Sequence, residues 1–192
     1  MILFIDSSVR EASRTRRLAE HLLAALGGEY ERVSLAGDTL PALGAEMLER
    51  RSSACERGDF SDAYFDTAKQ FAAADEIVIC APFWDLSFPA SLKKYIETVC
   101  IPGLTFRYAE NGMPSGLCRA RRLFFVTTAG GTIFNDAYGF GYISDLARLM
   151  FGIPDVRMIK AEGLDVDGAD VEGILAAAFD AADAAARGVF HG

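Results

Sequence analysis

The strongest constraint on the fold is a regular alternation along the chain between short apolar runs and segments with helical periodicity. Five runs rich in β-branched and aromatic residues predict strands, at residues 2–5, 32–35, 76–80, 123–127 and 156–160. These runs are continuous rather than alternating, which is typical of strands covered on both faces. Helical segments between successive strands imply right-handed crossovers, and therefore a parallel sheet.

Apolar residues at spacings of three and four predict one buried face on each of four helices. The four faces consist of Leu18, Leu22, Ala25 and Leu26; of Leu92, Tyr95, Ile96 and Val99; of Phe140, Ile143, Ala147 and Met150; and of Val171, Ile174, Leu175 and Ala178. A fifth helix is expected near residues 66–74. Together these elements predict a single α/β domain over residues 1–192, a three-layer sandwich with helices on both faces of a five-stranded parallel sheet of order 2-1-3-4-5, the flavodoxin-like arrangement.

Two connections, residues 36–75 and 102–122, exceed the usual length of a loop in a compact domain. Within the second, residues 104–108 alternate like a strand and Asn111-Gly112 is a turn signal, so a hairpin is expected. We interpret this hairpin as a flap beside the functional site. The alternative is a decoration of the sheet edge without a functional role.

The composition excludes several classes of protein. Lys and Arg number 19 against 27 Asp and Glu, a formal net charge of −8, which disfavours nucleic acid and anionic membranes as partners. No apolar run reaches the length of a membrane-spanning helix, and the first residues lack the basic region of a signal peptide. Hydrophobic residues make up 51% of the chain, enough to bury a sizeable core.

Cysteine and histidine usage narrows the chemistry further. Cys55, Cys80, Cys100 and Cys118 are too far apart in the chain for a zinc motif, so free thiols and a cytoplasmic location are expected. The chain contains two histidines, His21 and His191, which argues against a Ser-His-Asp or Cys-His enzyme and against a histidine-rich metal site.

Ligands of doubly wound sheets bind outside the carboxyl ends of the strands, where the strand order reverses. The loop after the first predicted strand, residues 7–15, carries hydroxyl groups and runs into a helix, and four arginines lie within eight residues: Arg10, Arg14, Arg16 and Arg17. A helix N-terminus with these donors suits a phosphate group. The alternative for Ser13 is a plain helix cap. No GxGxxG or GxxxxGK[ST] motif is present, which disfavours a Rossmann dinucleotide or a P-loop nucleotide.

Two further loops are expected at the same edge of the sheet. The loop after the third predicted strand, residues 81–89, contains Phe83, Trp84 and Phe88, and exposed aromatic side chains there favour a flat ligand. The alternative is that these rings fold back onto the core. The loop after the fourth predicted strand contains Gly130 and Gly131, which allow close approach of the backbone to a ligand or form an ordinary turn.

These segments resemble a known family. Residues 81–95, APFWDLSFPASLKKY, resemble the PMYNFxIPxxLKxYxD segment of FMN-dependent NADH azoreductases, which belong to the flavodoxin-like NAD(P)H:quinone oxidoreductases. Residues 103–112, GLTFRYAENG, are similar to the family's GxTFRYTExG segment. Residues 7–8 with 13–15 resemble its phosphate loop, 128–131 resemble its SRGG, and 151–163 resemble its GFIGxTDVxFVxAEG. The likeness runs in the same order from residue 1 to about residue 165.

The resemblance implies bound FMN, NADH or NADPH as co-substrate, and a homodimer with the flavin at the interface. It implies two-electron transfer by a ping-pong mechanism to quinones, azo compounds or nitro compounds, without a catalytic acid or base from the protein. The implied FMN-binding residues are Ser8, Ser13, Arg14, Thr15, Pro82, Phe83, Trp84, Asp85, Leu86, Thr128, Ala129, Gly130 and Gly131. Phe106 and Tyr108 are implied to line the substrate pocket.

Three residues depart from the family's pattern. Asp85 stands where the family has Asn, Ala129 where it has Arg, and Trp84 where it has Tyr. A carboxylate at residue 85 that faced the flavin would lower its reduction potential, and the other two changes bear on nicotinamide preference and substrate range. The alternatives to an enzyme are a flavodoxin-type electron carrier, which the acidic composition fits, and a non-catalytic flavin-binding protein.

Overall fold

The computed structural model describes residues 1–37 and 40–188. Its seven strands in these residues are β1 (Ile2–Asp6), β2 (Tyr30–Ser34), β3 (Glu76–Cys80), β4 (Phe106–Tyr108), β5 (Pro114–Gly116), β6 (Arg122–Thr128) and β7 (Asp155–Ala161). Five of them form a parallel sheet in the order β2-β1-β3-β6-β7, while β4 pairs with β5. Counted within the sheet alone, this is the predicted order 2-1-3-4-5.

The helices of the described residues are α1 (Arg14–Leu26), α2 (Ala45–Arg57), α3 (Asp66–Ala73), α4 (Ala90–Val99), α5 (Tyr142–Asp145) and α6 (Val171–Ala186). A 3₁₀ turn, Ala63–Phe65, precedes α3, and π-helical stretches, Ala137–Gly141 and Leu146–Phe151, flank α5. The sequence predicted five helices and the described residues form six, because, in addition to the helix expected near residues 66–74, residues 36–75 contain α2. Ala54 is its one buried residue, so α2 lacks the apolar stripe by which sequence periodicity reveals a helix.

The core consists of two apolar layers, one on each face of the sheet. Successive side chains of a strand point to opposite faces, so Leu3 and Ile5 enter one layer while Phe4 enters the other. α3 and α4 pack on the first layer, and α1 and α6 on the second. The predicted face of α4, from Leu92 to Val99, is fully buried. Burial of each such side chain stabilises the fold by roughly 1.5–3 kcal/mol, which explains the continuous apolar runs of the inner strands.

β2 departs from the expectation that every strand is covered on both faces. It forms one edge of the sheet, and four of its five residues are exposed. The guanidinium of Arg32 lies 5.8 Å from the centre of the Phe4 ring, and Tyr30 meets the same ring edge to face. An edge strand whose side chains are mostly exposed needs fewer apolar residues, and this accounts for the difference.

β4 and β5 form an antiparallel hairpin within residues 102–122. Phe106 is buried, whereas Tyr108 is 63% exposed. Gly116 allows the hairpin to pack directly against the backbone of Phe151, because a Cβ atom at residue 116 would lie about 2.1 Å from the carbonyl carbon of Phe151. Within the residues that the structure covers, no helix is both long and apolar enough to cross a membrane.

Candidate functional site

A cavity of about 250 Å³ opens at the carboxyl edge of the sheet, where the loops after β1, β3, β6 and β7 meet. It is lined by Ser8, Val9, Arg10, Ala12, Ser13, Arg14, Thr15, Pro82, Phe83, Trp84, Thr128, Ala129, Gly130, Leu164 and Asp165. Ten of the thirteen residues implied to bind FMN are therefore brought together around one space. Of the other three, Asp85 and Gly131 directly follow lining residues in the chain, and Leu86 is the residue after Asp85.

The structure adds five lining residues to those implied by the sequence. Val9, Arg10 and Ala12 belong to the loop after β1, whereas Leu164 and Asp165 follow β7. The predicted parallel sheet could have indicated this last loop, because the carboxyl ends of all parallel strands lie at the same edge of the sheet. Conversely, Phe106 and Tyr108 do not line this cavity. Their implied place in a substrate pocket stays a prediction.

The N-terminus of α1 faces the cavity with its donors in place. The Ser13 hydroxyl accepts a hydrogen bond from the N–H of Arg16 at 3.2 Å, so this serine is the helix cap that one interpretation predicted. The N–H groups of Arg14 and Thr15 begin the helix, where no preceding turn supplies a carbonyl partner. The helix dipole gives these groups a partial positive charge, which favours an anion.

A buried ion cluster holds the loop before α1. The Asp6 carboxylate, fully buried at the end of β1, accepts hydrogen bonds from Arg16 Nε at 2.8 Å and from Arg32. It also accepts both the N–H and the hydroxyl of Ser8, at 2.9 and 2.5 Å. Burial raises the pKa of Asp6, but the hydrogen bonds from Ser8, Arg16 and Arg32 outweigh this and leave the pKa below its usual value. Both Ser8 donors thus face Asp6, while Arg16 also binds the carbonyls of Ser8 and Glu11.

The loop after β3 contains a tight turn with an unusual backbone. Trp84 and Ser87 exchange two backbone hydrogen bonds, of 3.0 and 2.7 Å, across Asp85 and Leu86. Both central residues have positive φ, +50° and +65°, a conformation that favours glycine and asparagine. The Ser87 hydroxyl donates to the carbonyl of Tyr138 at 2.7 Å and so ties the turn to the helical segment after β6. Strained turns of this kind are often found at functional sites.

The loops after β6 and β7 are joined by backbone hydrogen bonds. The N–H of Ala129 donates to the carbonyl of Ala161 at 2.9 Å, and the N–H of Gly163 donates to the carbonyl of Gly131 at 3.0 Å. Glu162 adds a side-chain bond, because its carboxylate accepts the N–H of Ile133 at 2.9 Å. That bond lowers the pKa of Glu162, as does the ion pair with Lys160. The glycine loop is thereby held in one position beside the cavity.

A second, mostly apolar cleft of about 430 Å³ adjoins the first cavity. Val9 and Trp84 line both spaces, and the cleft continues along Leu35, Gly37, Leu40, Pro89, Ala90, Ser91 and Lys94. Trp84 is 40% exposed, so its side chain is not fully buried in the core. This differs from the alternative interpretation, in which the aromatic rings of this loop fold back onto the core. The site therefore has a donor-rich compartment and a neighbouring apolar compartment, with Val9 and Trp84 lining both.

The fold and these loops define a protein of the flavodoxin-like class, and comparison with known proteins agrees. The family described as having a flavodoxin-like fold matches residues 1–186, and the chain belongs to this family. An FMN-dependent NADH:quinone oxidoreductase from Lachnoclostridium phytofermentans is 30% identical over 180 residues, covering 89% of this chain and 90% of that protein.

Two other comparisons cover different extents of the chain. An FMN-dependent NADH:quinone oxidoreductase 2 from Clostridium acetobutylicum is 46% identical over 112 residues, and this match spans 56% of each protein. The crystal structure of an azoreductase from Bacillus anthracis superposes with a TM-score of 0.83 at 23% identity, covering 97% of this chain and 98% of that one. At that identity the superposition shows the shared fold.

Proposed function

We propose that this protein is an FMN-dependent oxidoreductase that transfers two electrons from NADH or NADPH to quinones or azo compounds. The observation that carries the proposal is a donor-rich cavity beside an apolar cleft at the switch point of the sheet, with Val9 and Trp84 lining both. The names of the FMN-dependent NADH:quinone oxidoreductase relatives support the same conclusion.

The residues of the site fit FMN, a molecule with an anionic tail and a flat tricyclic ring. The tail would lie at the N-terminus of α1, where the N–H groups of Arg14 and Thr15 and the hydroxyl of Ser13 are donors suited to a phosphate. The ring would lie along the loop from Pro82 to Leu86, with the loop after β6 on its other side. The 250 Å³ cavity alone is smaller than the roughly 300 Å³ at which ligand pockets usually begin, and the neighbouring apolar cleft of about 430 Å³ provides further space.

FMN, when bound, supplies the two-electron chemistry that links a nicotinamide to an aromatic acceptor. The protein's task is then to bind and orient. Main-chain N–H groups of the 82–86 and 128–131 loops would hold the polar edge of the ring. Neither Asp85 nor Leu86 has its N–H bonded to another backbone group of the described residues, so both remain available as donors. The apolar walls of the cleft, Leu35 and Trp84 among them, would exclude water from a flat substrate.

No side-chain acid or base is required by this mechanism, since water can supply the protons of the product. Among the described residues, no group of three or more His, Cys, Asp or Glu side chains is placed to hold a metal ion. Holding the electron donor and acceptor about 3–3.5 Å apart can lower the barrier by roughly 7–11 kcal/mol. A single open face would serve nicotinamide and acceptor in turn, which gives ping-pong kinetics.

Absorption spectroscopy tests the proposal. The purified chain, incubated with FMN and freed of excess by gel filtration, is expected to retain a flavin spectrum that bleaches on anaerobic addition of NADH or NADPH and returns on addition of menadione. Free FMN at the same concentration is the control. A protein that retains no FMN would contradict the proposal, whereas one that retains FMN but is not reduced by either nicotinamide would indicate the electron carrier or the non-catalytic binding protein.

Steady-state kinetics decide the order of events. Initial rates measured against nicotinamide at several fixed menadione concentrations should give parallel double-reciprocal lines if the mechanism is ping-pong. Intersecting lines would mean that both substrates bind together. Methyl red and a nitroaromatic in place of menadione, with both nicotinamides, would define the acceptor class and the co-substrate.

A homodimer is part of the proposal. Exposed apolar side chains support it: Phe134, three residues beyond Gly131, is 81% exposed, and Tyr138 is 62% exposed. The Ser87–Tyr138 hydrogen bond places Tyr138 beside the turn that carries the exposed Leu86. A second copy covering this surface would also enclose the open side of the cleft. Light scattering coupled to gel filtration should give twice the mass of the 20.8 kDa chain. A Phe134→Asp, Tyr138→Asp variant is expected to shift that mass toward the monomer.

A cytoplasmic location completes the proposal. All four cysteines belong to the described residues and are free thiols, which suits a reducing compartment that also supplies NADH and NADPH. Fractionation of cells that produce the tagged protein would test this placement.

A further inference from the structure

The four arginines around the start of α1 have different surroundings. Arg16 binds the buried Asp6 carboxylate, and Arg17 forms two hydrogen bonds with Glu172, of 3.1 and 3.0 Å. Arg14 donates to the Asp165 carboxylate at 2.8 Å and to the carbonyl of Leu164 at 3.2 Å. Three of the four guanidinium groups are thus already bonded to carboxylates.

Arg10 is the remaining one. Arg10 lines the cavity together with Ser13 and Thr15, and it is exposed to solvent. It forms no hydrogen bond or ion pair with any residue of 1–37 or 40–188. The acids nearest to it along the chain are Asp6, which Arg16 and Arg32 neutralise, and Glu11, its neighbour on the loop. The charge of Arg10 is therefore not neutralised by an ion pair within this part of the protein.

The backbone on both sides of Arg10 is fixed. Ser8 is held by Asp6 through its N–H and hydroxyl, and Arg16 binds the carbonyls of Ser8 and Glu11 at 3.1 Å each. The loop that presents Arg10 is thus anchored before and after it, so that little backbone entropy remains to be lost on binding. A guanidinium on such a support is well suited to bind a phosphate through two parallel hydrogen bonds.

We infer that Arg10, rather than Arg14, is the side chain that binds the phosphate of the cofactor and makes the protein prefer a phosphorylated flavin to riboflavin. This inference rests on the proposed function, and it assigns the Arg14 guanidinium to Asp165 instead. Because the N–H groups of α1 bind the same phosphate, removal of Arg10 weakens binding without abolishing it.

The test compares the dissociation constants of FMN and riboflavin, measured by quenching of flavin fluorescence. Wild type is expected to bind FMN more tightly than riboflavin. Arg10→Gln should weaken FMN binding about tenfold and leave riboflavin binding unchanged, since a charge-assisted pair of this kind is worth about a factor of ten or more. Arg10→Lys should retain part of the preference, because it keeps the charge without the paired geometry. Inorganic phosphate should compete with FMN in wild type more strongly than in Arg10→Gln.

Arg17→Gln is the matched control, because Arg17 lies on the same helix end and is bonded to Glu172 outside the cavity. It should change neither dissociation constant, and thermal unfolding should show that all variants are folded. The inference would be overturned if Arg10→Gln changed the dissociation constants of both flavins equally or changed neither. It would also be overturned if Arg14→Gln weakened FMN binding more than Arg10→Gln does. Wild type that binds both flavins equally would overturn it too while leaving the proposed function standing; wild type that binds neither flavin would overturn both.

Discussion

The hydroxyl of Thr15, at the second residue of α1, lies 2.6 Å from the hydroxyl of Thr128, at the last residue of β6. Both side chains are buried at the cavity. The contact joins the helix that would hold the cofactor's phosphate to the strand whose loop would hold its ring. It therefore couples two parts of the site that are 113 residues apart in the chain.

Removal of both hydroxyls should destabilise the protein by less than the sum of the two single removals. Thr128→Val leaves the Thr15 hydroxyl buried without its partner, which costs about 1–3 kcal/mol of unfolding free energy. Thr15→Val should have a similar cost. In the double variant two apolar groups of the same shape meet, so the loss should be smaller than the sum of the single losses. Urea unfolding of the four proteins measures the difference, and strictly additive losses would show that the two hydroxyls do not interact.

The backbone of the 84–87 turn makes a second prediction. Leucine in the left-handed region costs roughly 1–2 kcal/mol, and Leu86 has φ +65° with its side chain exposed. Leu86→Gly should therefore raise the unfolding free energy by about 0.5–1 kcal/mol, after the greater chain entropy of glycine in the unfolded state is subtracted. Leu43→Gly is the matched control, since Leu43 is also exposed but is not among the positive-φ residues. The control should lose stability; an equal loss in Leu86→Gly would mean that the turn is not strained in solution.

The sequence predicted the inner part of the fold well, because burial on both faces leaves a strong apolar signal. The runs that became β1, β3 and β6 were identified, as was the buried face of α4. The run that became β7, at the other edge of the sheet, was also identified, with three of its seven residues buried. The elements it missed or misjudged are those with little burial, α2 and the exposed edge strand β2. In α1, Ala25 was expected on the buried face and is exposed, because the apolar contact with the sheet is made by Leu18 and Leu22.

The site was predictable as a set of loops but not in its electrostatics. The arginines near the start of α1 were visible in the sequence, yet their partners Asp165 and Glu172 lie more than 150 residues away in the chain. Both donors of Ser8 face Asp6, and the implied role of Ser8 in binding the phosphate stays a prediction. Pairings of this kind depend on which side chains the fold brings together, and periodicity carries no information about them.

The buried carboxylate of Asp6 predicts a specific dependence of stability on pH. Its pKa is below the usual value in the folded protein, so its contribution is fully present above the unfolded pKa of about 3.9 and is lost as the pH falls through the folded pKa. Asp6→Asn should cost about 1.5–3 kcal/mol near neutral pH, since Arg16 and Arg32, which keep some contact with solvent, then lose the charge they pair with.

The cost of Asp6→Asn should therefore shrink as the pH is lowered below 4. Urea unfolding of wild type and variant between pH 3 and pH 7 measures it, and the difference between the two proteins cancels the contributions of other acids. Glu172→Gln, which removes an exposed partner of Arg17, is the control and should change stability little at any pH. A constant difference between wild type and Asp6→Asn over this range would contradict the ionised, paired state of Asp6.

The last prediction concerns Asp85 and depends on FMN binding as proposed. The carboxylate stands on the turn along which the ring would lie, at the position where the resembling family has Asn, and a negative charge there would oppose the addition of electrons to the flavin. Asp85→Asn should raise the two-electron midpoint potential by about 30 mV or more, because about 30 mV corresponds to 1.4 kcal/mol for a two-electron couple. Asp165→Asn serves as the comparison, since its carboxylate is bonded to Arg14 at 2.8 Å and is partly neutralised, so a smaller rise is expected. Redox titration with reference dyes measures both, and an unchanged potential in Asp85→Asn would show that this carboxylate points away from the ring.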